Sequence, residues 1–95
     1  MARRLTVTRL KETRAGWSYR AHDFELKLNG DLLGTVKDGE SVSFHVPEDE
    51  LFLETGPRTP SSHRPVWRAV IPAGKDDYSV TVSPWEHREP IVEQK

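Results

Sequence analysis

Apolar and polar side chains alternate with period two along most of the chain, the signature of strands that bury one face and expose the other. The segment FELKL shows it best: Phe24, Leu26 and Leu28 share one parity, and Glu25 and Lys27 the other. Asn29-Gly30 follows, a pair suited to a type I′ hairpin turn because both residues tolerate positive φ. The return strand runs from about Leu32 to Val36, where parity is ambiguous because Leu32 and Leu33 are adjacent and only one of them can face inward. Asp38-Gly39 repeats the glycine turn, and Ser41 to Val46 places Val42, Phe44 and Val46 opposite Ser41, Ser43 and His45. The spacing predicts that these three strands form a meander.

Upstream, RRLTVTRLKE over 3–12 reads as a first strand with Leu5 and Val7 inward, and Leu10 breaks the alternation in a way that predicts a bulge near Arg9. TRAGWSYRA reads as a loop or corner. Downstream, Pro47 ends a strand because it donates no ladder hydrogen bond. Leu51-Phe52-Leu53 opens another strand, which gives way at Gly56 to the proline-rich GPRTPSSHRP. VWRAVI, a PAGKDD turn and a last strand carrying Tyr78, Val80 and Val82 complete the pattern. No long segment reads at a helical period.

About seven short strands separated by glycine and proline turns predict an all-β fold, a small antiparallel β-sandwich or an open barrel. The expected core is Leu5, Val7, Phe24, Leu26, Leu28, Leu33, Val36, Val42, Phe44, Val46, Leu51, Leu53, Val70, Tyr78, Val80 and Val82. Residues 1–84 read as the single domain, and 85–95 as a charged tail, either disordered or clipped onto the core by Trp85 or Ile91.

Composition narrows the chemistry. The chain has 95 residues and no cysteine, so disulfides, thiolate metal ligands and thiol nucleophiles are excluded. MARRLTVTRL is basic but lacks an apolar run behind it, and no stretch is long enough to span a bilayer as a helix, so the expectation is a cytoplasmic protein without membrane insertion. Net charge is −1, yet residues 1–22 carry six Lys/Arg against one acid and the rest eight against fourteen. A basic strand beside acidic neighbours accounts for that asymmetry without a ligand.

FELKLNGDLLGTVKDGESVSFHVPEDELFLE resembles the small bacterial β-sandwich modules of the PEGA-like type. The likeness rests on Leu28-Asn29-Gly30, Leu33-Gly34-Thr35-Val36, Asp38-Gly39 and Phe44-His45-Val46-Pro47, with PAGKDDYSVTV similar to the closing strand, over roughly residues 22–82. Where that family commonly has Pro-Gly-x-His after the Phe-x-Val-Pro strand, this chain has Glu48-Asp49-Glu50. The resemblance implies a non-catalytic interaction module whose glycines and prolines are structural, and it assigns no catalytic residue.

The residues themselves offer little reactive chemistry. His22, His45, His63 and His87 show no HExxH or H-x-H spacing, so no metal site and no cofactor is expected. Ser61-Ser62-His63 has no GxSxG elbow, and sequence neighbours in an extended loop point apart, so no catalytic residue is assigned and a hydrolase ranks last. Glu48-Asp49-Glu50 and Asp76-Asp77 read as solvated turn acids.

Aromatic and basic residues carry the better lead. Trp17 and Tyr19, flanked by Arg14 and Arg20, and Trp67 with Arg58, Arg64 and Arg68 form two candidate cationic and aromatic surfaces, though Trp17 equally serves as a lid over the open end of a sandwich. The first expectation is therefore a non-enzymatic module that binds a protein partner, or itself, through an edge strand or the 56–68 surface. The alternative is nucleic-acid or anion binding through Arg3, Arg4, Arg9, Lys11, Arg14 and Arg20.

Overall fold

The computed structural model describes residues 3–11, 23–57, 66–83 and 89–95. Within them the chain forms β1 (Arg3–Arg9), β2 (Phe24–Leu28), β3 (Asp31–Val36), β4 (Ser41–Val46), β5 (Leu51–Pro57), β6 (Trp67–Ile71), β7 (Tyr78–Val82) and β8 (Ile91–Gln94). Two four-stranded sheets pack face to face, one in the order β4-β1-β7-β8 and the other β3-β2-β5-β6. The fold is the all-β sandwich that the alternation predicts. Among the described residues no helix is long and apolar enough to cross a membrane.

The hairpin of β2 and β3 forms as expected, with Asn29 at φ 51° and Gly30 at φ 87°. The turn is also tied sideways: the Asn29 N–H donates to the Phe52 carbonyl at 2.8 Å, and the Phe52 N–H donates to Asn29 Oδ1 at 2.8 Å. The Leu32–Leu33 ambiguity resolves into a register shift. Leu26 pairs with Gly34 and Lys27 with Leu32, so Leu33 is the extra residue of β3; it is half-buried while Leu32 is 62% exposed.

Two expectations about connectivity are corrected. The expected meander stops after two strands, because β4 leaves β3 and pairs antiparallel with β1 in the opposite sheet. The Asp38-Gly39 turn is therefore a corner between sheets, closed by a Glu40 N–H to Lys37 carbonyl bond at 2.9 Å with Gly39 at φ 74°. The first strand carries no bulge near Arg9: Arg3, Leu5, Val7 and Arg9 all point inward, and the register with β4 runs unbroken from Arg3↔Val46 to Thr8↔Ser41. β1 also runs parallel to β7, which makes this sheet mixed.

The tail contributes an edge strand, since β8 pairs antiparallel with β7 and sets Val92 opposite Val80. Val92 packs on the core while Ile91 stays 47% exposed, so the clip comes from the other parity; Trp85 lies outside the described residues.

The core joins Leu5, Val7, Val46, Val80 and Val82 of one sheet to Phe24, Leu26, Val36, Leu51, Leu53, Trp67 and Ile71 of the other. Leu28, Leu33, Val42, Phe44 and Tyr78 pack around it. Val70 is a correction: it is 50% exposed, and Trp67 and Ile71 take the inward parity of β6. Val70 shares its parity with Arg68, and the wholly apolar row of Trp67, Ala69 and Ile71 takes the interior because it removes more apolar surface from water. At the β3–β4 side, Gly34 leaves room for the Phe44 ring, whose Cζ would lie 3.2 Å from a Cβ built there.

Candidate functional site

Three of the side chains singled out for binding prove to be internal. Trp67 is 5% exposed, and its indole stacks on Phe24 with ring centroids 5.4 Å apart and planes at 19°. It is a core residue and offers a partner no ring. Arg9 is fully buried, with its guanidinium carbon 3.7 Å from the Phe24 centroid and Nη1 donating to the Val36 carbonyl at 3.2 Å. Burial holds its pKa below the ordinary guanidinium range, while the carboxylates of Asp38 and Asp23 pull in the opposite direction. Arg3 is 3% exposed and donates to the carbonyls of Pro47 (3.0 Å), Pro72 (2.6 Å) and Asp49 (2.7 Å), with Tyr78 beneath it at 5.7 Å.

Much of the basic surface expected of the amino-terminal segment is thereby spent on structure. Of its six cations, Arg3 and Arg9 are inside, Arg4 and Lys11 are exposed, and Arg14 and Arg20 lie outside the described residues. Trp17, Tyr19, Arg58, Arg64, His22, His63 and His87 also lie outside them. Arg68 is exposed as expected, with its side chain 71% accessible and Nε 3.6 Å from Glu54 Oε1. His45 is exposed on the outer face of β4. No group of three or more His, Cys, Asp or Glu residues is placed to hold a metal ion among the described residues.

The outer faces of the two sheets differ in chemistry. On the β4-β1-β7 sheet the central rows are hydroxyls, Ser41, Thr8 and Thr81 in one and Ser43, Thr6 and Ser79 in the next. Thr6 and Ser43 are hydrogen-bonded at 2.9 Å, and Thr8 and Ser41 at 2.7 Å, so part of that face satisfies itself. The β3-β2-β5-β6 sheet instead exposes Leu32, Phe52 at 54% and Val70 at 50%. Phe52 and Val70 are cross-strand neighbours, next to the Glu54–Arg68 pair.

This apolar pair borders an open groove of about 640 Å³ along β6. One wall is Phe52, Glu54, Arg68, Ala69 and Val70; the other is Glu89, Pro90 and Val92, leading into β8. The backbone of β6 adds directional chemistry. Phe52 turns both its N–H and its carbonyl toward Asn29, away from β6. Because these groups alternate sides along a strand, Phe52↔Val70 and Glu54↔Arg68 are the non-hydrogen-bonded pairs of the β5–β6 ladder. The N–H and carbonyl groups of Arg68 and Val70 therefore point out of the sheet, and no described strand pairs with β6 on that side. A smaller dimple of about 60 Å³ over Gly56 and Pro57 has room for little more than solvent.

The alternation does not reveal this groove because it sets Val70 inward. The signal lay in Leu51-Phe52-Leu53, since an inward Leu51 and Leu53 force Phe52 outward, and an exposed phenylalanine needs an apolar neighbour across the ladder. No family model matches the chain, and no curated protein or solved structure matches it.

Proposed function

We propose that this chain is a non-enzymatic protein-interaction module that accepts an extended segment of a polypeptide along the edge of β6 that no described strand covers. The observation that carries the reading is the exposed Phe52–Val70 pair beside a strand edge whose Arg68 and Val70 backbone groups point outward. An added strand satisfies those groups with main-chain hydrogen bonds, while alternate side chains enter the groove and cover Phe52 and Val70. Among the described residues the outer face of the other sheet is mostly hydroxyls, with Ile91 at its β8 edge as the exposed large apolar side chain, so the reading favours the Phe52–Val70 side of the sandwich. The likeness of residues 22–82 to PEGA-like modules points the same way. The 56–68 surface enters this reading only through Arg68 and the β6 edge.

The test compares capture of proteins from the source cell by the immobilised chain, by Val70→Lys and by a Ser43→Lys control on the opposite face, each first shown to be folded. The expected result is a partner held by the wild type and the control and lost on Val70→Lys. Capture that Val70→Lys leaves unchanged, or no capture by the wild type, overturns the reading.

A further inference from the structure

We infer that the strand accepted by β6 is β6 of a second copy, paired antiparallel about a two-fold axis through Ala69; the inference rests on the strand-addition reading above. β6 spans only Trp67–Ile71 and is followed by Pro72, so the choice of register is small. An axis through Arg68 sets two guanidinium groups opposite each other, and like charges directly opposed destabilise a ladder. An axis through Val70 sets Arg68 against Pro72, which has no N–H and whose carbonyl already accepts Arg3 Nη1 at 2.6 Å. An axis through Ala69 sets Arg68 against Val70 of the second copy, and by symmetry Val70 against its Arg68. Both pairs have outward backbone groups and exchange N–H···O=C bonds in both directions.

The side chains fit this register. On the outer face, Phe52 and Val70 are continued by Arg68 and Glu54 of the second copy, so the aliphatic stem of that arginine covers Val70 and its head reaches toward the Phe52 ring. Ala69 meets Ala69, a small residue at the point of closest approach. The register also keeps like charges from facing each other across the new pairing: each Arg68 lies opposite Val70 of the other copy and stays beside its own Glu54, with Nε 3.6 Å from Oε1. Sharing one patch between two identical subunits is the commonest symmetric solution for a soluble oligomer.

The register makes a specific experiment possible by sedimentation velocity on the full chain across a range of protein concentrations. Wild type is expected to move from monomer to dimer as concentration rises. Val70→Lys opposes two cations at each Arg68 and is expected to weaken association by roughly tenfold or more. Arg68→Glu crowds its new carboxylate beside Glu54 and Glu89 and should likewise be monomeric. An equimolar mixture of the two variants is expected to form a heterodimer, because the introduced carboxylate of one faces the introduced ammonium of the other. Both side chains are exposed, so folding is retained, and circular dichroism checks it. As a second measurement, the Arg68 and Val70 amides should exchange slowly at high protein concentration and rapidly on dilution. A wild type that stays monomeric, a dimer unaffected by Val70→Lys, or a mixture that does not associate overturns the inference. A monomeric wild type whose capture of a different protein is lost on Val70→Lys removes self-pairing while leaving strand addition in place.

Discussion

The guanidinium of Arg9 lies over the ring of Phe24, 3.7 Å from its centroid, and the two come from opposite sheets. Phe24 also stacks on Trp67, so a cation and two aromatic rings fill one end of the core. Taking a guanidinium out of water is costly, and here the ring, the Val36 carbonyl and the nearby Asp38 and Asp23 offset that cost. Arg9→Ala should destabilise by about 2–4 kcal/mol because it removes a large, fully buried side chain. Arg9→Met keeps much of the volume and discards the charge, so it should cost less than about 1.5 kcal/mol. Urea denaturation of both variants checks the pair; equal losses would contradict a cost dominated by packing.

Arg3 ties the amino-terminal strand to the β4–β5 and β6–β7 connections through three carbonyls. Lysine lacks the planar fork that reaches all three at once. Arg3→Lys is expected to lose about 1–3 kcal/mol, with faster amide exchange around Pro47–Asp49 and Pro72 as the local readout. Unchanged exchange at both connections would refute the clamp.

Thr55 is 1% exposed, and its hydroxyl has no hydrogen-bond partner among the described residues. An unsatisfied buried hydroxyl is a net cost, and valine fills nearly the same space. Thr55→Val should raise stability by roughly 1 kcal/mol. A thermal melt below wild type would indicate that the hydroxyl has a partner.

Adjacent residues of β6 should respond oppositely. Ile71 is 1% exposed and Val70 50% exposed. Ile71→Ala should cost about 2–5 kcal/mol, whereas Val70→Ser should stay within about 0.5 kcal/mol of wild type at a dilution where the chain is monomeric. Comparable losses at both positions would mean that the strand faces the other way.

The hairpin turn offers another contrast. Gly30 sits at φ 87° with no atom within 4 Å of a built Cβ, so Gly30→Ala suffers backbone strain alone, about 1 kcal/mol. Asn29→Ala loses the bond to the Phe52 N–H besides its tolerance of φ 51° and should cost about 1–3 kcal/mol. Denaturation midpoints that rank the two the other way would show that the tie to β5 adds nothing.

The sequence by itself determined the local facts: where the strands before the tail lie, which parity is buried in FELKL and YSVTV, and where Asn29-Gly30 turns the chain back. These follow from side-chain alternation and from the φ values that asparagine and glycine accept, which are properties of neighbours. Tertiary structure decided which strands pair. β4 joins β1 because its inner row of Val42, Phe44 and Val46 completes the opposite sheet, and at Asp38-Gly39 only the glycine takes a positive φ, unlike Asn29-Gly30. It also decided the fate of the arginines: Arg3 is internal only because carbonyls 44, 46 and 69 residues away converge on it. In VWRAVI apolar residues stand on both parities, with Arg68 beside Val66 and Val70 on one of them, and the stacking of Trp67 on Phe24 fixes the inward row and turns Val70 outward. The groove proposed as the binding site exists because of that last choice, which packing between the sheets fixes.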